Sequence, residues 1–234
     1  MSISKALFEV PATPLVPVKG ETAGYPVHRI FCVGRNYAEH AAEMGYEVDR
    51  EAPFYFTKPA SAIVPTGSEI AYPPGTSNYH YEMELVVALG VPAFRVSVED
   101  AEKAIYGYAA GLDMTRRDLQ LSSRAKQRPW SLGKAFEQSA VIAEITKKDE
   151  FGEIGGQRIW LKVGGETKQD AHLSDLVWSV PEVISHLSQY YHLGPGDLIY
   201  TGTPAGVGPV VAGDRITGEI DGLQPIALTI GAAE

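Results

Sequence analysis

Cysteine is almost missing from this chain of 234 residues: Cys32 stands alone, so no internal disulfide can form. A reducing compartment, the cytoplasm, is the expected setting. The neighbours Ile30, Phe31 and Val33 mark the thiol as core, because a reactive thiolate needs positive charge nearby. Long apolar runs are missing too. No stretch reaches the roughly 18 residues that a membrane span requires. The N-terminal segment, interrupted by Glu9 and Pro11, lacks the basic start, apolar run and cleavage site of a signal peptide. Positive charge is in deficit, with a formal net charge of −9, which argues against nucleic acid or an anionic membrane as main partner.

What is present is ordinary for a globular protein, 44% hydrophobic and 21% charged residues, and the length suits one large domain. Residues 1–28 read as an irregular, proline-rich arm and 29–234 as a single-domain body. Glycine (24) and proline (16) punctuate short apolar runs, the pattern of a mainly β fold with a few helices (α+β). Strands are expected at 29–33, 53–57, 83–89, 105–112, 139–145, 158–163, 198–201, 215–220 and 225–230. Gly164-Gly165 suggests a tight hairpin. A short helix is expected at 37–44, where Asn36 to Glu39 has capping-box spacing. A second helix starts near Thr115-Arg116-Arg117-Asp118, and a third, amphipathic, spans 181–192.

His80, Glu82 and Glu84 alternate along a strand and so share a face, opposite Met83 and Leu85. Two carboxylates buried side by side are costly unless a cation joins them, and oxygen ligands suit Mg²⁺, Mn²⁺ or Ca²⁺. Taken alone, a solvated strand face explains the motif better. Asp113, ending the apolar run 105–112, is by itself a helix cap; with Glu82 and Glu84 it completes a three-carboxylate set with open positions, as a catalytic metal needs. Arg117 and Gln120, three apart on a helix, share a face suited to gripping a carboxylate; the alternative, a surface arginine on a charged helix, is favoured for Arg116 and Arg124. Lys134 follows a loop, and spacing does not separate a site lysine from a surface one. His40 and Glu43 are placed to pair, the arrangement of a general base, but exposed pairs of this kind are common. Thr201 to Gly208 is a glycine-rich loop able to hold a carboxylate, and lacks the features of a phosphate-binding P-loop.

Taken in order, these pieces resemble the fumarylacetoacetate hydrolase superfamily, in its short single-domain branch of acylpyruvate and fumarylpyruvate hydrolases. The resemblance runs from about Arg29 to Ile230. It rests on Cys32-Val33-Gly34-Arg35-Asn36-Tyr37 with His40 and Glu43, Phe56-Thr57-Lys58-Pro59, Glu82-Met83-Glu84-Leu85 and Leu112-Asp113-Met114-Thr115. Arg117, Asp118 and Gln120 continue it, then Trp130 with Lys134, and Leu198 through Gly208. Tyr81 departs from the many relatives that carry histidine there; by strand parity it points away from the carboxylates.

The resemblance implies the family's β-sandwich roll and a homodimer. It implies a metal, usually Mg²⁺, held by Glu82, Glu84 and Asp113. Arg117, Gln120, Thr203 and Lys58 are implied as substrate contacts, with Lys134 stabilising an enolate. His40 and Glu43 are implied on a lid helix, activating the water that cleaves a β-diketo acid, fumarylpyruvate foremost, between carbons 3 and 4. A distal substrate carboxylate would need a further cation, with Arg35, Lys58 and Arg116 as candidates. Fumarylpyruvate hydrolysis would belong to aromatic catabolism through gentisate. Two rivals stand beside this reading: an oxaloacetate decarboxylase using the same enolate chemistry, and a metal- or small-acid-binding protein without turnover.

Overall fold

The computed structural model describes residues 7–45 and 50–233. The first six residues of the expected arm, and Glu234, lie outside the described residues. A curled sheet forms the body, its strands running in the order Phe54–Lys58, Arg29–Gly34, Asp197–Tyr200, Met83–Leu89, Ile105–Asp113, Ala140–Ile142 and Ile63–Pro65. A second sheet orders Glu166–His172, Arg158–Val163, Arg215–Ile220, Ile226–Ala233 and Glu69–Tyr72. A small three-stranded sheet places Tyr79–Tyr81 between Thr115–Arg116 and Gly208–Val210. The expected mainly β architecture is what is observed.

Alternation sets the two cores. Met83, Leu85, Val87 and Leu89 face one apolar cluster with Ala110 and Leu112, packed against Ile159, Leu161 and Ile216 of the second sheet. Val86 and Ala88 face the other, with Ala109, Tyr200 and Cys32. Cys32 is free and fully buried, and burial pushes its thiol well above the usual range, so it is core as expected. No helix among the described residues is long and apolar enough to cross a membrane.

Three expected elements differ. The helix expected over 181–192 runs only Val180–Leu187, because Ser188 spends its groups on a neighbouring segment: its carbonyl accepts from Arg95 N–H and its hydroxyl from Val96 N–H. The Ser179–Glu182 capping box starts that helix. The strand expected over 139–145 breaks after Ile142, and Ile145 instead donates its N–H to Pro17. The arm is accordingly less separate than its composition suggests. Leu15–Val16 pairs with Tyr25–Pro26, Val16, Val18 and Val27 are buried in the second cluster, and the Tyr25 hydroxyl donates to Leu89 and Asp197 carbonyls.

Candidate active site

Strand register brings the carboxylates together. Met83 pairs with Leu112 and Glu84 with Gly111, and Asp113 donates its N–H to the Glu82 carbonyl at 2.9 Å. Glu82 therefore stands opposite Asp113, and both share the face that carries Glu84. Ligand oxygens of Glu82, Glu84 and Asp113 lie within 4.8 Å of one another, and all three residues are buried.

Three cations face them. Lys134 Nζ donates to Glu82 at 2.6 Å, to Asp113 at 2.7 Å and to the Thr115 hydroxyl at 2.7 Å. Arg117 donates to Glu82 at 2.5 Å and to the Gln120 side-chain carbonyl at 2.5 Å. Lys58 lies 2.9 Å from Asp113 and donates to the Met114 and Lys134 carbonyls. Burial alone would raise the Glu82 carboxyl, but Lys134 and Arg117 outweigh it and hold it well below the usual carboxylate range. Burial likewise works against the Lys134 ammonium, yet Asp113 and Glu82 raise it above the ordinary lysine value, so Lys134 is a cation and not a base.

Glu84 is the exception. It has no salt-bridge partner among the described residues and accepts one backbone N–H, from Gly202 at 2.8 Å. Burial, followed by the neighbouring Asp113 and Glu82 charges, pushes its carboxyl well above the usual range. Asp113 Oδ1 accepts no hydrogen bond, the Lys58 contact being an ion pair without hydrogen-bond direction. An under-compensated carboxylate and an orphaned oxygen, both in an all-oxygen set, fit a hard divalent cation.

The Thr201–Gly208 loop does hold carboxylates, and they are the protein's own. Besides the Gly202 contact with Glu84, the Gly206 N–H lies 3.3 and 3.4 Å from the two Glu43 oxygens. Gly202 has φ +99°, and a Cβ there would fall 2.8 Å from Asn36 Cβ. Only glycine suits that place. Asn36 is not a helix cap; Tyr37 takes that position without a side-chain bond. Instead Asn36 donates to the Thr201 and Trp178 carbonyls and accepts from Trp178 N–H, tying the loop to the helix Ala38–Glu43.

His40 is buried on that helix with Nδ1 3.2 Å from Glu43, leaving Nε2 as the ring nitrogen for the cleft that His40 lines. The cleft also takes in Glu82, Glu84, Arg117, Gln120, Lys134 and Thr203. Lys58 and Asp113 are not among the residues lining this cleft; Lys58 contacts Asp113 and the Lys134 carbonyl. Arg116 stacks on Phe136 at 4.1 Å, outside the cleft. His80 backs Arg117, whose Nε lies 3.4 Å from its Nδ1, and burial with that arginine pushes the imidazole down to about 4. The Tyr81 hydroxyl donates to the Gly206 carbonyl, and Tyr81 is buried in the core cluster that also holds Met83, on the strand face away from the carboxylates as expected.

Gln169 escaped sequence reasoning, and Thr115, read there only as part of a motif and a helix start, turns out to accept from Lys134. Gln169 is buried on the second sheet, accepts Met83 N–H at 3.0 Å and donates to Thr203 Oγ1 at 2.8 Å, so the Thr203 hydroxyl keeps its own proton to give. A polar residue amid Glu166–His172 carries no pattern that announces such a contact. Lys134 sits on a four-residue helix, Ser131–Lys134, pressed onto the helix Arg117–Ala125. A Cβ at Gly133 would lie 2.8 Å from the Gln120 backbone nitrogen. Gly133→Ala is therefore expected to cost about 1–3 kcal/mol, read as a lower thermal midpoint, while the exposed Leu132→Ala leaves it nearly unchanged.

This arrangement of curled sheet, buried acidic triad and histidine–glutamate pair defines a class. The chain belongs to the fumarylacetoacetate hydrolase family: the family model described as fumarylacetoacetate (FAA) hydrolase C-terminal matches residues 29–231. Among its relatives is the fumarylpyruvate hydrolase of a Ralstonia species, 57% identical over 193 residues, covering 82% of this chain and all of that protein. The human oxaloacetate tautomerase FAHD1, mitochondrial, is 40% identical over 205 residues, 88% of this chain and 92% of that one. The crystal structure of fumarylpyruvate hydrolase from Pseudomonas aeruginosa, in complex with Mn²⁺ and pyruvate, has a TM-score of 0.94 and 47% identity, covering 97% of this chain and all of that one.

Proposed function

We propose that the protein is a metal-dependent hydrolase that cleaves fumarylpyruvate into fumarate and pyruvate. The observation that carries this reading is a cleft lined by Glu82 and Glu84 of the buried Glu82–Glu84–Asp113 set together with His40, which is paired with Glu43. Glu82, Glu84 and Asp113 would hold a divalent cation, Mg²⁺ foremost, with Mn²⁺ or Ca²⁺ as alternatives. When bound it supplies a Lewis acid for the pyruvyl end, and its two positive charges match a carboxylate plus a developing enolate.

The chain's own residues do the rest. Lys58, Arg117 and Lys134 offset the charge of Glu82 and Asp113, so the cluster does not repel an anionic substrate. Arg117, with Gln120 and Thr203, orients the pyruvyl carboxylate and ketone. Glu43 accepts from His40 Nδ1–H, so Nε2 is the basic nitrogen, and it takes a proton from water as the water oxygen bonds to carbon 4. The bond between carbons 3 and 4 then breaks, and its electron pair becomes the enolate beside the Lys134 ammonium. Carbon 3 regains one proton, balancing the one lifted by His40. We assign the protein to the cytoplasm, as a homodimer, in aromatic catabolism through gentisate.

A second reading comes from the human relative, which is named for tautomerising oxaloacetate, not for decarboxylating it. Stabilising an enolate serves either reaction, whereas water activation serves only hydrolysis. Glu43→Gln is therefore expected to lower fumarylpyruvate hydrolysis by roughly 10²–10⁴ while leaving any oxaloacetate turnover in place. Equal loss on both substrates, or no loss on either, contradicts the role given to the pair.

A further inference from the structure

Past Phe56 and Trp130 the cleft continues into an open chamber that carries Arg35, Arg124 and Arg128 and no acidic residue among its described lining. In a chain of net charge −9, a wall of this kind is unusual. Its apolar side is a set of packed rings, with Trp130 4.9 Å from Phe54 and 5.8 Å from Phe56. Arg35 lies at the end of the strand Arg29–Gly34 in a left-handed conformation, φ +62°, with its guanidinium 5.5 Å from the Phe54 ring centre. A non-glycine residue is held there only where its surroundings insist on it. Arg35 and Arg124 line both cleft and chamber, and so stand where the two meet.

We infer that Arg35 and Arg124 grip a second carboxylate at the far end of the substrate, which makes the site a measure of diacid length. The inference rests on the acylpyruvate reading above. Arg117 and Arg124 lie seven residues apart on one helix, so about 10 Å separates them along its axis. The terminal carbons of an extended seven-carbon keto diacid are roughly 7–8 Å apart, whereas those of oxaloacetate are only about 4 Å apart. With Arg117 at the pyruvyl end, the longer acid reaches the arginine pair and the four-carbon acid does not. Charged, planar guanidinium groups suit that terminus, and the rings beside them suit the flat alkene between.

Arg124 also donates to the Met44 carbonyl at 3.1 Å, at the end of the helix carrying His40, so Arg35 is the cleaner probe. Arg35→Gln is expected to lower kcat/KM for fumarylpyruvate roughly 10- to 100-fold, mainly through KM, with acetylpyruvate, which has no distal carboxylate, unchanged. Arg35→Lys should recover part of the loss. Equal loss on both substrates, or none on fumarylpyruvate, overturns the inference. Calorimetric binding of fumarate to the wild type and Arg35→Gln tests it separately from turnover. A wild type inactive on both acylpyruvates would defeat the functional reading, while weaker fumarate binding in the variant would still support the arginine pair. Equal fumarate binding in both would overturn it.

Discussion

Replacing Lys134 with methionine is expected to reduce fumarylpyruvate turnover by roughly 10²–10³ and to destabilise the fold by about 3–5 kcal/mol. The two effects share one cause. Among the described residues Lys134 alone donates to Glu82 and Asp113 together, and Thr115 fixes its third direction. Without the ammonium, two buried carboxylates each lose a partner, which is far more costly than losing a pair on the surface. The enolate formed in the reaction loses a fixed positive charge at the same time. Adding the divalent cation should return part of the stability, because a cation again joins the carboxylates, but little of the rate. A variant that keeps both its melting temperature and its kcat would contradict the position given to Lys134.

Glu84→Gln should separate metal binding from folding. The Glu84 carboxyl is raised in the folded state, so its neutral form is favoured there and the fold pays nothing for it at low pH. The sign follows: this group's contribution is intact below the unfolded carboxylate value and is lost as pH climbs through the raised folded one. In the metal-free protein stability therefore falls with rising pH from this group, and glutamine removes the fall. A cation must displace the proton, so wild-type metal affinity should rise with pH, the opposite trend. In Glu84→Gln one anionic ligand is gone. Turnover is expected to drop by about 10³, corresponding to several kcal/mol of transition-state charge stabilisation. Melting temperatures across pH, with and without Mg²⁺, read the stability and metal trends, and pyruvate release with Mg²⁺ reads the turnover. An unchanged metal response in the variant would remove Glu84 from the site.

Much of this site is legible in one dimension because strand parity and an end-of-strand position are local. Glu82 and Glu84 two apart, and Asp113 closing an apolar run, follow from spacing, and the register of Met83 with Leu112 does the rest. The family resemblance supplied the link between these fragments that spacing alone left open. What is not legible depends on contacts between distant segments. Gln169 meets Thr203 across 34 residues and Met83 across 86, and nothing in its own neighbourhood marks it. Asn36 has a cap's spacing, but tertiary partners at Thr201 and Trp178 outcompete the helix for its side chain. Lys58 lies close to the chemistry, yet behind Asp113 and not on the cleft wall, a difference of a few ångströms that no periodicity encodes.

Turnover of fumarylpyruvate by chelator-stripped enzyme, followed as Mn²⁺ is added, bears most directly on the claim that three buried carboxylates hold one catalytic cation. The expected result is no pyruvate release from stripped protein, then a rise that saturates at one ion per chain. Full activity in the stripped enzyme, or saturation without any pyruvate, would contradict it.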